Sequence, residues 1–272
     1  MLLHGNTTMG MDFTLSEVFD RASERYCVIV FDRPGYGYSE RPRSTIWNAE
    51  AQAKLLHAAL QKIGADQPII LGHSWGALVA MAMGLDFPQS VRSLILMSGY
   101  YYPTARADVP YGSQPAIPII GDLMRHTIMP LMFRMTWPLM LRKKLFAPAP
   151  VPEHFKRFPP WMALRPSQLR ATGAELALVI PEVVKLRKRY HDLTLPLFIV
   201  AGSEDRMVYF HKHSARLYAQ IPGCDLRLVK GSGHMLHHLE PDQVMEVIEA
   251  AANAGGDGPR PVDSSEPVAL AS

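Results

Sequence analysis

Apolar positions gather in five short runs, Cys27–Phe31, Pro68–Leu71, Ser93–Met97, Leu197–Ala201 and Leu226–Val229. Four of the five are almost continuously apolar, the pattern of parallel strands covered on both faces rather than the alternation of a half-solvated sheet. Between them lie stretches of helical length at 44–63, 76–87, 208–220 and 241–252. The chain therefore reads as an α/β protein with a mostly parallel open sheet flanked by helices. Such sheets gather ligands outside the carboxyl ends of their strands.

Residues 98–196 separate the third run from the fourth, far more than one crossover helix needs. A mainly helical insertion at 100–192 is expected, dividing the core into 1–99 and 193–253. Its apolar residues include Met124, Met129, Met132, Phe133, Met135, Trp137, Met140, Phe146, Trp161 and Met162. A small core of the insert's own and a seam with the sheet account for these. Some are also expected to line a lipophilic pocket, because methionines adapt to varied apolar ligands. The insert is basic as well: Arg142, Lys143, Lys144, Lys156, Arg157, Arg165, Arg170, Lys185, Arg187, Lys188 and Arg189 face chiefly Asp122, Glu153, Glu175 and Glu182. A solvated face is the simplest reading; peripheral contact with anionic membrane, or attraction of anionic substrates, is the alternative.

The second run leads directly into Gly72-His73-Ser74-Trp75-Gly76 and then into small helix-forming residues. A serine at the tip of a tight strand-to-helix turn is forced toward positive φ, and its neighbours two residues away must approach closely, which suits glycine. The turn lifts the hydroxyl clear of the sheet and leaves the Trp75 N–H at a helix start, where it can stabilise an anion. A serine hydroxyl is a weak nucleophile and needs a base together with a group to orient that base. Gly202-Ser203-Glu204-Asp205 follows the fourth run, and Gly231-Ser232-Gly233-His234 follows the fifth. Both loops lie past strand carboxyl ends, on the rim where Ser74 stands. Glu204 competes with Asp205, and His237 and His238 compete with His234; His73, His57 and His211 are read as local or surface residues.

These loops, in the chain order Ser, Asp, His, resemble those of the α/β-hydrolase fold superfamily, and the likeness spans about residues 1–252. It implies Ser74 as nucleophile, His234 as general base and then acid, and Asp205 as the residue that holds the imidazole. The segment Leu2-Leu3-His4-Gly5-Asn6 resembles the family's strand-to-loop segment, which implies an oxyanion hole from the backbone N–H groups of Asn6 and Trp75. Residues Asp32-Arg33-Pro34-Gly35-Tyr36-Gly37-Tyr38-Ser39 resemble a loop of epoxide hydrolases and haloalkane dehalogenases, where its role is mainly structural. Those relatives carry aspartate where this chain has Ser74, so acyl transfer replaces their alkyl-ester chemistry. Only three residues precede His4, whereas the family has a strand hairpin and most of another strand there. The N-terminal strands are thus expected to be missing, and the open edge is expected to lower stability and to favour a homo-oligomer.

Composition narrows the rest. The chain has 272 residues, 48% of them apolar, and a formal net charge of +3, which gives no sign of a nucleic-acid binder. Cys27, within a predicted strand, and Cys224, in a turn, suggest neither a disulfide framework nor a zinc site. No metal is expected, and no phosphate loop or dinucleotide fingerprint calls for a cofactor. The first residues lack the features of a signal peptide and no apolar run reaches about 18 residues, so a cytoplasmic location is expected. Residues 254–272, rich in Gly, Pro and Ser, read as a disordered tail.

The leading functional reading is a serine hydrolase, most simply a carboxylesterase for small lipophilic esters. The same triad could serve a carbon–carbon bond hydrolase or a perhydrolase of the cofactor-free haloperoxidase kind. A noncatalytic receptor for a small apolar ligand is the alternative from another class, and the presence of all three triad residues argues against it.

Overall fold

A computed structural model describes residues 1–254; the expected tail, apart from Ala254, lies outside the described residues. Six strands, β1 Leu2–Leu3, β2 Val30–Phe31, β3 Ile69–His73, β4 Ser93–Met97, β5 Leu197–Gly202 and β6 Asp225–Val229, form one sheet in the order β2-β1-β3-β4-β5-β6. Every pairing is parallel. The longer helices are α1 Glu17–Ser23, α2 Ala49–Lys62, α3 Trp75–Asp86, α4 Ile120–His126, α5 Ile128–Met140, α6 Pro166–Leu186, α7 Ser214–Gln220 and α8 Pro241–Asn253.

The apolar runs are continuous because each strand feeds two cores. In β4, Leu94 and Leu96 join one cluster while Ile95 and Met97 join the other; in β5, Leu197 and Ile199 divide from Phe198 and Val200 in the same way. This is the two-residue period of a strand covered on both faces. α3 packs on one face and is buried from Trp75 to Leu85, its backbone sheltered by α2; α1 and α8 cover the other.

One strand is shorter than its apolar run suggested. The expected strand Cys27–Phe31 pairs only over Val30–Phe31, at the sheet edge, and Cys27 is exposed. An edge strand has a neighbour on one side only, so an apolar run there is not held to its full length.

Between β4 and β5 the chain forms α4, α5 and α6 with several shorter turns. Its inward residues Trp137, Phe146, Phe155, Phe158 and Met162 pack with Met9, Tyr36 and Met235 of the core, making a seam over the carboxyl edge of the sheet. Met132, Met135 and Trp161, expected among the core or pocket residues, are instead exposed.

Candidate active site

The strand register places the three chemistry-bearing loops on one rim. His73 at the end of β3 is level with Met97, Met97 with Val200, and Gly202 at the end of β5 with Val229 at the end of β6. Ser74, Asp205 and His234 lie in the chain just beyond these ends.

Ser74 has φ 54° and ψ −116°, a strained conformation for a residue with a side chain. The glycines around it allow the turn. A Cβ on Gly72 would come within 2.3 Å of the Gly76 carbonyl oxygen, and a Cβ on Gly76 within 2.3 Å of the Leu3 carbonyl oxygen. Ser74 is half-buried and follows directly on the sheet, while α3 starts at Trp75 with its first N–H groups lacking partners inside the helix.

Asp205 and His234 form a buried pair, with His234 Nδ1 2.7 Å from Asp205 Oδ2. The other carboxylate oxygen accepts the backbone N–H groups of Met207 at 2.7 Å and Val208 at 2.8 Å. Asp205 is therefore fixed at both oxygens, and with Nδ1–H donating to it the imidazole leaves Nε2 as the acceptor. Glu204, the alternative to Asp205, is exposed. His237 and His238, the alternatives to His234, turn toward Asp12 instead.

The Gly5–Asn6 turn lies directly against Ser74: a Cβ on Gly5 would sit 3.1 Å from the Ser74 Cβ. A buried polar network holds this turn, and the sequence reading did not foresee that Arg33 and Glu175 pair at its centre. Arg33 Nε donates to the His4 carbonyl at 2.9 Å and Nη2 to the Gly5 carbonyl at 2.8 Å. The same guanidinium makes a fully buried ion pair with Glu175 of α6. Glu175 also accepts the Tyr36 hydroxyl at 2.8 Å, the Asn6 amide at 3.1 Å and the Gln52 amide at 3.0 Å. Burial, followed by the Glu175 charge, pushes the Tyr36 hydroxyl well above the usual phenol range, so it serves as a neutral donor. The Asp32–Ser39 loop thus does more than turn the chain, because Arg33 reaches from it to the candidate oxyanion loop.

His73, expected to pack or to hydrogen-bond locally, packs in the core, but its hydrogen bond is not local: Nε2 lies 3.1 Å from the His234 carbonyl, and burial holds its pKa well below the ordinary value. This contact ties the serine turn to the histidine loop.

Asp12, His237 and His238 bring a carboxylate oxygen and two imidazole nitrogens within 4.8 Å of one another, a buried grouping that could hold a metal ion. The sequence reading did not foresee it, because Asp12 comes from the opposite end of the chain. Burial would raise the Asp12 pKa, but the charge and hydrogen bonds of His237 and His238 outweigh that and hold it well below the usual carboxylate range. His238 is engaged on both sides, with Nε2 3.0 Å from Asp12 Oδ1 and Nδ1 2.9 Å from His154 Nε2.

Comparison with known proteins agrees with this architecture. A family model described as alpha/beta hydrolase fold matches residues 1–241. An uncharacterized protein of Mycobacterium tuberculosis is 27% identical over 273 residues, covering 92% of this chain and 73% of its own. An uncharacterized hydrolase of Bacillus subtilis, YugF, is 22% identical over 242 residues, covering 87% of this chain and 84% of its own. Among solved structures, an esterase from Exiguobacterium antarcticum superposes with a TM-score of 0.73 at 19% identity, covering 93% of this chain and 90% of that one. At that identity the likeness is one of fold.

Proposed function

The chain belongs to the alpha/beta hydrolase fold family, and from that premise we propose that it is a serine hydrolase acting on small lipophilic carboxylic esters through an acyl-enzyme. The observation that carries this reading is the buried His234–Asp205 pair, 2.7 Å apart, on the same sheet rim as a serine held at φ 54°. The Exiguobacterium antarcticum protein of the same fold is an esterase, which supports the same choice of substrate class.

In this reading Ser74 Oγ attacks the ester carbonyl carbon and its proton passes to His234 Nε2. Asp205 accepts the Nδ1–H bond throughout and stabilises the imidazolium that forms. The backbone N–H groups of Asn6 and Trp75 take the charge that develops on the carbonyl oxygen. His234 then protonates the departing alcohol, leaving Ser74 acylated. Water attacks the acyl group as His234 removes its proton, and collapse releases the carboxylic acid and restores the serine. The segment between β4 and β5 acts as a cap, since its inward aromatic residues pack on Met235, next to His234.

The test is hydrolysis of p-nitrophenyl esters of increasing acyl length by the parent and by Ser74→Ala, with fluorophosphonate labelling read by peptide mass spectrometry. Ester turnover that the substitution reduces by about six orders of magnitude, with the phosphonyl adduct on the Ser74 peptide, is the expected result. Turnover that survives Ser74→Ala would reject the mechanism.

A further inference from the structure

Helix α5 is inside out. Ile128, Leu131, Met132, Met135 and Leu139 fall within about 100° of arc at the 3.6-residue period, and all five are exposed. Met135 is 73% exposed, whereas Trp137, on the opposite side of the helix, is 7% exposed. In the preceding α4, Ile120 and Leu123 are exposed as well, and so is Ile119 just before it, a β-branched residue 82% exposed at φ 66°. Scattered apolar residues are ordinary on a protein surface, but a contiguous run of this length marks a surface that meets something apolar.

The charge around the stripe decides what that is. From residue 117 to 150 the chain carries one carboxylate, Asp122, and five fixed cations, Arg125, Arg134, Arg142, Lys143 and Lys144. Asp122 is already paired with Arg43 and Arg125. Arg134, Arg142, Lys143 and Lys144 are exposed and form no ion pair among the described residues. At the end of the stripe Pro138, Leu141 and Val151 line an open depression of about 610 Å³ that also includes Arg142 and Lys156. The other basic residues of this insert are largely spoken for: Lys185 pairs with Glu50, Arg189 with Asp86, and Arg165 and Arg170 bond core carbonyls. Apart from Arg187 and Lys188, the exposed cations of the insert that form no ion pair and no hydrogen bond among the described residues are those of α5 and the turn after it. No helix among the described residues is long and apolar enough to cross a membrane.

We propose that the α4–α5 face docks on the surface of an anionic phospholipid bilayer, the stripe entering the headgroup and acyl boundary while Arg134, Arg142, Lys143 and Lys144 meet the lipid phosphates. An apolar stripe without adjacent cations would suit another copy of the chain equally well; four exposed cations that form no ion pair among the described residues favour the anionic lipid. The inference goes beyond the hydrolase reading and does not depend on it, because vesicle binding makes no use of Ser74.

Co-sedimentation with vesicles of equal parts phosphatidylglycerol and phosphatidylcholine, against vesicles of phosphatidylcholine alone, tests it. The parent and Ser74→Ala are expected to bind the mixed vesicles equally and to be released by high salt. Replacing Arg142, Lys143 and Lys144 by Gln should weaken binding about a hundred-fold, at about five-fold per charge. Combining Leu131→Glu with Met135→Glu should abolish it while leaving cleavage of a soluble short-chain ester unchanged, since both positions are exposed. The proposal is overturned if the parent stays in the supernatant, or if the double glutamate variant binds as the parent does. A dimer in light scattering that the double variant disperses, without vesicle binding by the parent, would assign the face to a second copy instead.

Discussion

Replacing Glu175 by Gln tests the coupling between the helical insert and the oxyanion loop. The side chain keeps its shape but loses its charge, and an amide NH₂ takes the place of one carboxylate oxygen. That nitrogen must face either Arg33 or the donors of Tyr36 and Asn6, so at least one buried donor loses its acceptor. Arg33, fully buried, is left without the counter-ion it now has. Removing one partner of such a pair costs about 3–5 kcal/mol, equivalent to a fall of about 10 °C in melting temperature for a chain of this size. A second effect follows from the contacts of Arg33 with the His4 and Gly5 carbonyls, which hold the turn that presents the Asn6 N–H. Losing one oxyanion donor costs about 100-fold to 1000-fold in kcat with little change in KM. Urea unfolding and p-nitrophenyl butyrate kinetics would measure the two effects separately. Glu182, two turns further along α6, is the control. It is also buried and its pKa is raised by burial, but it accepts the Ala49 N–H and bonds neither Arg33 nor Asn6. Glu182→Gln should leave kcat alone. A Glu175→Gln enzyme with parental kcat and an unchanged urea midpoint would refute the coupling.

Other outcomes follow from the same structure. Asp205→Asn should reduce kcat by about four orders of magnitude without unfolding the chain, because the amide oxygen can still accept one of the loop N–H groups; steady-state kinetics and circular dichroism check this. Gly76→Ala should destabilise the fold by at least about 3 kcal/mol, since the new Cβ would meet the Leu3 carbonyl; soluble expression with parental stability would contradict the turn geometry. Stability should fall steeply as pH drops from about 6.5. Burial lowers His213 and His237 to about 4 and His4 and His73 well below the ordinary value. Below the unfolded pKa the unfolded chain therefore binds protons that the folded chain refuses. The sum is up to about 5 kcal/mol per pH unit at its steepest, and calorimetry between pH 7 and pH 5, values chosen about that window, would show a flat melting temperature if these histidines were protonated in the fold.

What the sequence disclosed depended on how local the determining contacts are. The strand Ser93–Met97 is legible to the residue because it is central, so both of its faces must be apolar. The positions of Ser74, Asp205 and His234 at strand ends are legible too, since each sits at a fixed offset from an apolar run. Glu175 is different: its partners lie 123 to 169 residues away, and in the sequence it is one of two acids on a helix that also carries two bases. His73 likewise meets the His234 carbonyl across 161 residues. Periodicity in α5 reveals that a stripe exists, but which side of the helix faces the protein is decided by Trp137 and Phe133 stacking inward, and no local rule predicts that.

The burial of α3 from Trp75 to Leu85 bears on how the molecule comes apart. A helix buried in this way, flanked by the two central strands, can expose its amides to exchange only when the whole sheet opens, whereas the α4–α5 segment has one side already in water. Deuterium uptake should therefore be slowest at residues 75–86 and fast at 119–140, and in mild denaturant ester turnover should vanish while the serine turn is still protected. Inactivation would then report the departure of the roof from an intact floor.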